Sequence, residues 1–170
     1  MNDIAVMDVT FTLNNEPASA RIEPRELLID VLRENFGLRG AKRSCDLGVC
    51  GACTVLVDGL PVSSCSTLAA DVAGRSVLTI EGLGTPQALD PVQQAFIEHG
   101  AMQCGFCTPG MVLAVKSLLA AEPSPTEEQV RHYLRGNICR CTGYVKIIEA
   151  VMDLAKRGAR HKTNLEGTSQ

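Results

Sequence analysis

The sequence predicts an α+β fold in which a small sheet comes first and a group of helices follows. Apolar residues alternate with polar residues in the first part of the chain, which is the period of half-buried strands. From residue 90 onward they recur at helical spacing instead. A stretch with glycine and proline at 82–88 separates the two patterns. We therefore predict one domain over residues 1–82, a second over 88–158 and a tail at 159–170.

The first predicted elements are a hairpin and a helix. Residues 9–13 alternate apolar and polar side chains, the asparagines at 14–15 can supply a turn, and residues 18–22 can return as the partner strand. Apolar residues over 27–32 then follow helical spacing. Gly37 can close that helix, because glycine readily adopts a left-handed conformation.

A glycine- and cysteine-rich loop at 44–53 leads into a second predicted hairpin. An Asp-Gly pair at 58–59, typical of a two-residue turn, lies between the predicted strands at 54–57 and 60–65. A last strand is predicted at 76–81. These elements complete the sheet of the predicted first domain.

Four helices are predicted after the separating stretch. Asp-Pro at 90–91 is typical of an N-cap followed by the first helical residue, and Thr-Pro at 108–109 repeats that signature. Ser-Pro-Thr-Glu at 124–127 fits a capping box with its proline at the first helical position, and this third helix runs to residue 136. The fourth helix is predicted over 144–157.

The composition excludes several classes of protein. The chain has 170 residues, 45% of them apolar, and a formal net charge of −3. Nucleic-acid-binding proteins present a basic face, so we expect no nucleic-acid partner. The uncharged stretch at 101–115 is too short to span a bilayer. Because the first residues lack the pattern of a secretory signal, we expect a cytoplasmic protein.

The first four of the eight cysteines have the spacing of a plant-type [2Fe–2S] site, C-x4-C-x2-C with a later fourth cysteine. Gly48 and Gly51 would allow backbone N–H groups to approach the sulfurs closely. Zinc is an alternative, although zinc loops more often use C-x2-C pairs. A redox dithiol at 50–53 is another, but it leaves two of these cysteines without a role. The four are Cys45, Cys50, Cys53 and Cys65.

The other four cysteines form a C-x2-C pair and a C-x-C pair, each just before a predicted helix start. Helix N-termini present free N–H groups and a positive dipole end, which suit an anionic thiolate–metal centre. Spacing alone leaves a zinc site open here. The four are Cys104, Cys107, Cys139 and Cys141.

Three motifs, taken in order, resemble those of the small iron–sulfur subunits of molybdenum hydroxylases, the group of xanthine dehydrogenase, aldehyde oxidoreductase and carbon monoxide dehydrogenase. They are CDLGVCGACT at 45–54, QCGFCTPG at 103–110 and GNICRCTGY at 136–144. The resemblance extends from residue 5 to residue 157, with departures at Ala41 and Ser44, where the family often has Thr and usually has Gly. It implies an N-terminal β-grasp, plant-type ferredoxin-like domain followed by a C-terminal four-helix bundle iron–sulfur domain.

The resemblance also implies cofactors and site residues. The chain would hold two [2Fe–2S] clusters, the cluster farther from molybdenum on the first four cysteines and the nearer one on the second four. Gln103 matches a residue that hydrogen-bonds the molybdopterin of a large subunit. Cys141 matches the ligand that also touches the pterin and begins the electron path.

The implied function is electron transfer from molybdopterin through both clusters to FAD during water-dependent hydroxylation of a substrate. The expected partners are a large molybdopterin-binding subunit and a medium FAD-binding subunit, assembled as a dimer of heterotrimers. The chain alone would turn over no substrate, and it contributes no catalytic residue of its own. A freestanding ferredoxin-like shuttle and a zinc-stabilised interaction module are the alternatives.

Overall fold

The computed structural model describes residues 5–166, so the ends of the predicted first domain and tail, 1–4 and 167–170, lie outside it. Its first part is a five-stranded sheet in the order β2-β1-β5-β3-β4. The strands are β1 Met7–Leu13, β2 Glu16–Ile22, β3 Thr54–Val57, β4 Leu60–Ser63 and β5 Ser76–Leu78.

Both predicted hairpins are confirmed. Strands β1 and β2 pair antiparallel, as do β3 and β4. Asn14 and Asn15 join the first pair at φ 52° and 70°, and Asp58 and Gly59 join the second at 50° and 82°. These left-handed conformations suit Asn, Asp and Gly, and they match the twist of the flanking strands. Strand β5 lies between the hairpins, parallel to β1 and antiparallel to β3.

The last strand is shorter than predicted. It ends at Leu78, and a 3-10 turn follows at Ile80–Gly82. The carboxamide oxygen of Asn14 accepts the N–H of Thr79 at 2.8 Å. Because this side chain takes the backbone donor that a further ladder bond would need, the pairing stops there.

One helical segment covers the sheet. It starts as α1 at Leu28–Asp30 and continues as a π-helix at Val31–Asn35. Its apolar side chains are fully buried in a core formed with the sheet. Gly37, at φ 68°, closes the segment as predicted.

Four more helices form the second part: α2 Pro91–Glu98, α3 Thr108–Ala121, α4 Glu127–Tyr133 and α5 Val145–Glu166. Asp90 caps α2 as predicted, with a reciprocal bond from Gln93. The N-caps predicted for α3 and α4 are wrong. Cys107, rather than Thr108, occupies the N-cap of α3, since its carbonyl already accepts the N–H of Met111. Helix α5 continues beyond the predicted end at residue 157.

The N-cap of α4 is Thr126, two residues after the predicted Ser124. Both positions fit the capping-box pattern, because each is followed three residues later by Glu or Gln. In the structure Thr126 accepts from the N–H of Gln129, whose side chain returns to the N–H of Thr126. Pro125 therefore lies outside the helix.

Helix α3 joins the two parts of the fold. Nearly all of its residues from Gly110 to Leu118 are buried, because one side packs on the other helices and the opposite side packs on β3. Ser117 also donates to the carbonyl of Gly59 at 2.8 Å. Within residues 5–166 no helix is long and apolar enough to cross a membrane.

Candidate metal centres

The first four cysteines lie on one loop and at the end of β4. Cys45 and Cys50 are partly exposed on the loop that precedes β3, whereas Cys53 is buried at its end. Cys65 is buried in the 3-10 turn Ser64–Ser66, directly after β4. The hairpin therefore returns the fourth cysteine to the loop, which explains its distance along the chain. Leu47 donates its N–H to the sulfur of Cys45 at 3.4 Å.

An ion-pair bridge holds this loop to the helical segment. Arg43 contacts Asp30 of α1 at 2.5 Å and Asp46 of the loop at 2.6 Å. Asp46 and Gly48 have φ of 55° and 70°, and the residues that follow them, Leu47 and Val49, donate their N–H groups to the sulfur of Cys45. This conformation is typical of a loop that wraps an anionic group.

The electrostatics of the first set are asymmetric. Hydrogen bonds from the N–H groups of Leu47 and Val49, and then from the Cys50 thiol, lower the pKa of Cys45 to about 6. Burial, followed by its hydrogen bond to Cys53, raises the pKa of Cys65 to about 11. The exposed side of the site thus favours a thiolate, while the buried side would need a metal to remove its proton.

The second four cysteines come together from two loops that precede α3 and α5. The sulfurs of Cys104 and Cys141 lie 3.6 Å apart and are exposed. Cys107 donates to Cys139 on the buried side, and burial raises the pKa of Cys107 to about 12. All four cysteines line one cavity of 230 Å³, together with Cys50 of the first set.

Polar contacts fix the loop before α5. The Thr142 hydroxyl donates to the sulfur of Cys139 at 3.1 Å. Tyr144, at φ 67°, places its hydroxyl to accept the N–H of Cys139 at 3.0 Å and to donate to the carbonyl of Asn137 at 3.3 Å. Burial acts to raise the pKa of Cys139, but the hydrogen bonds from Thr142 and the N–H of Cys141 outweigh it and lower the pKa.

The two sets adjoin each other. Ile138, the residue before Cys139, donates its N–H to the carbonyl of Cys50 at 2.8 Å. Asn137 is buried beside this contact, with its amide nitrogen 3.3 Å from the carbonyl of Gly51. Asn137, Thr142 and Tyr144 were not predicted as site residues, although all three lie within the motif at 136–144.

Gln103 is exposed and directly precedes Cys104, whose sulfur lies 3.6 Å from that of the exposed Cys141. The apolar side chains of Phe106 and Ile138 are also exposed near these residues, by 46% and 51%. The predicted pterin-contact residues therefore share one open surface next to the second set of cysteines.

The donor groups fit iron–sulfur clusters. Each set supplies four thiols, and N–H groups donate to the sulfur of Cys45 in the first set. Within residues 5–166, no group of three or more His, Cys, Asp or Glu side chains is spaced for a single metal ion. His99 pairs with Asp153 at 3.1 Å.

Two family models match the chain. A 2Fe-2S iron-sulfur cluster binding domain covers residues 26–98, and a [2Fe-2S] binding domain covers residues 79–152. Both matches concern iron–sulfur clusters, in agreement with the prediction of two such cofactors rather than zinc.

Two related proteins align with this chain over most of their own length. The nicotine 6-hydroxylase small subunit of Paenarthrobacter nicotinovorans is 49% identical, over 86% of this chain and 88% of the relative. The nicotinate dehydrogenase small FeS subunit of Eubacterium barkeri is 45% identical, over 94% of this chain and 99% of the relative. These names support a subunit of a larger oxidoreductase over a freestanding shuttle.

Solved structures agree with this fold. Quinoline 2-oxidoreductase from Pseudomonas putida 86 superposes with a TM-score of 0.86 at 46% identity, over 91% of this chain and 97% of that chain. Aldehyde oxidoreductase from Desulfovibrio gigas gives a TM-score of 0.86 at 41% identity, over 94% of this chain and 18% of that chain. The predicted ferredoxin-like and helical architecture is thereby confirmed. The chain belongs to the family of small iron–sulfur subunits of molybdenum hydroxylases.

Proposed function

We propose that this chain carries electrons one at a time from a molybdopterin centre to FAD, through two clusters held only by its cysteines. The observation that carries the proposal is the placement of two four-thiol sets on adjoining loops. The N–H of Ile138, beside the second set, donates a hydrogen bond to the carbonyl of Cys50 in the first. Each [2Fe–2S] cluster, when bound, accepts and releases a single electron. The first cluster takes Cys45, Cys50, Cys53 and Cys65, and the second takes Cys104, Cys107, Cys139 and Cys141.

The proposed point of entry is the second cluster. Gln103 would hydrogen-bond the pterin, and Cys141 would contact it while ligating iron. Their shared exposure, beside the apolar Phe106 and Ile138, supports this assignment, because exposed apolar groups at one place are typical of a covered interface.

The proposed exit is the first cluster. Leu47 and Val49, on the loop of that cluster, are exposed by 75% and 57%. Partner atoms could therefore approach Cys45 and Cys50 closely from outside, whereas Cys53 and Cys65 face the core.

The proposed partners are a large molybdopterin-binding subunit and a medium FAD-binding subunit, in a dimer of heterotrimers located in the cytoplasm. The word "small" in the names of the two relatives supports the existence of larger partners. We further propose the domain division 1–82, 88–158 and tail 159–170. Two separate hydrophobic clusters, with buried members over 9–77 and 92–151, support it.

Metal analysis and EPR of the full chain test the proposed ligands. Two clusters of two iron each give four iron and four sulfide per chain. We expect Cys50→Ser to remove one reduced-cluster EPR signal and Cys141→Ser to remove the other, so that each variant controls for the other. Zinc in place of iron, or loss of both signals in either folded variant, would refute the assignment.

Gln103→Ala in the assembled enzyme tests the point of entry. The loss of one ordinary hydrogen bond, about 1 kcal/mol, should slow substrate-driven reduction of both clusters by roughly fivefold. Reduction by dithionite should stay unchanged, since all eight thiols remain. Rapid-freeze EPR measures both rates, and an unaltered substrate-driven rate would show that electrons enter elsewhere.

A further inference from the structure

Asn137 lies where the two cysteine-bearing loops meet the start of α3. Its side chain is 8% exposed, and its amide nitrogen faces three oxygens. The carbonyl of Gly51 and the hydroxyl of Thr54 are 3.3 Å away, and the carbonyl of Gly110 is 3.4 Å away. One buried amide therefore joins its own loop to two other segments of the chain.

The backbones around this amide are in near contact. A Cβ atom on Gly51 would overlap the amide nitrogen of Asn137 and the carbonyl oxygen of Gly136. A Cβ atom on Gly110 would overlap the carbonyl oxygen of Gly51. The absence of side chains at these positions thus lets the segments approach closely enough for a single amide to join them.

The contacts of Asn137 lie within three residues of cysteines in both sets. Gly51 directly follows Cys50, Gly110 is three residues after Cys107, and Asn137 is two residues before Cys139. A change in the spacing of these segments would consequently move sulfurs of one set relative to sulfurs of the other.

The neighbours of Asn137 require a donor. The hydroxyl of Thr54 already donates to the carbonyl of Gly51 at 2.8 Å, so its oxygen is left to accept. All three groups facing the amide nitrogen are therefore acceptors, and the carboxamide supplies two N–H donors without a charge. A carboxylate of the same size would place its lone pairs against these oxygens.

We propose that Asn137 is a positioning residue that fixes the separation and relative orientation of the two clusters. The inference rests on the proposed function for the presence of the clusters themselves. Asn137 itself binds neither cluster. It acts through the backbone of Gly51 and Gly110, which carry the cysteines beside them.

The test compares Asn137→Asp with Asn14→Asp. The second variant is a matched control, because it makes the same change at another hydrogen-bonded asparagine, in the turn between β1 and β2. In the fully reduced full chain, the two clusters are paramagnetic and split each other's EPR signals by an amount that falls with the cube of their separation. We expect Asn137→Asp to lose this splitting while keeping both signals, and Asn14→Asp to keep it.

A splitting in Asn137→Asp equal to that of the unmodified chain would overturn the proposal. If that variant fails to fold, Thr54→Val replaces it, since valine has the same shape and removes one acceptor of the Asn137 amide, together with the hydroxyl's own bond to Gly51, while both carbonyls remain. We then expect a reduced splitting, and an unchanged one would likewise overturn the proposal.

Hydrogen exchange of the cluster-free chain separates this inference from the proposed function. The N–H of Ile138 should exchange roughly tenfold faster in Asn137→Asp. Its hydrogen bond to the carbonyl of Cys50 opens more often once the adjacent hydrogen bonds of the Asn137 amide are lost. A chain that takes up no iron would refute the proposed function, and the exchange rate would still decide the role of Asn137. Equal exchange in both variants would overturn that role.

Discussion

The hydrogen bond from Thr142 to Cys139 should raise the reduction potential of the second cluster. The hydroxyl donates to the sulfur at 3.1 Å, and Cys139 is only 8% exposed, so water competes little for it. Reduction adds negative charge to a cluster and its ligands, and a donor to a ligand sulfur therefore stabilises the reduced form. Removal of the hydroxyl in Thr142→Val should lower the potential.

The size of the change in reduction potential follows from the usual free energies of hydrogen bonds. A hydrogen bond contributes about 1 kcal/mol net, and about 1.5–3 kcal/mol when one partner is charged. The hydrogen bond is then about 1 kcal/mol stronger in the reduced state of the cluster than in the oxidised state. For one electron, a tenfold change in the equilibrium constant is about 59 mV, so this difference corresponds to a potential lower by about 40 mV. A redox titration followed by EPR measures it, with the potential of the first cluster unchanged.

Thr142→Ser is the matched control. It keeps the hydroxyl, which also accepts the N–H of Tyr144 at 3.2 Å, and removes only a methyl group. We expect its potential to equal that of the unmodified chain. Equal shifts in the serine and valine variants would assign the effect to packing, and an unshifted valine variant would refute the reasoning.

Two further predictions concern the cluster-free chain and the junction between the loops. With a pKa of about 6, Cys45 should be alkylated with a midpoint near that pH, while Cys65, with a pKa of about 11, should stay unmodified at pH 7; peptide mapping that finds equal labelling would contradict this. Gly110→Ala should lower the free energy of unfolding by about 1–3 kcal/mol in urea denaturation, because its Cβ has no room. Gly136→Ala, where a Cβ meets no atom within 4 Å, is its control and should change the stability little.

Local patterns predicted the elements of this fold well. The alternation at 9–13 and the asparagine pair after it are sufficient for the first hairpin, because both signals act over a few residues. Boundaries were less predictable where two local signals compete or a distant residue intervenes. Ser124 and Thr126 both fit a capping box, and only packing selects the second. Asn14 ends β5 from 65 residues away, a contact that no local pattern could indicate.

The cysteine sets were predictable for a different reason, since the spacing of metal-binding cysteines is itself a local pattern. The contacts around them are not local. Asn137 and Gly51 are separated by 86 residues, and an isolated buried asparagine has no distinguishing period or motif of its own. The partner of helix α3 was unpredictable for the same reason. Its largely apolar sequence is typical of a buried helix but does not indicate that it packs against β3.

Strand β5 has a consequence for how the chain is made. It is synthesised last among the strands, yet it lies in the centre of the sheet and alone joins β1 to β3. Each hairpin has a local turn and can form soon after it leaves the ribosome, whereas the sheet stays in two pieces until Leu78 has emerged. All four cysteines from Cys45 to Cys65 precede that point. In the growing chain, the four thiols of the first site have therefore all been synthesised before the sheet beside them can close.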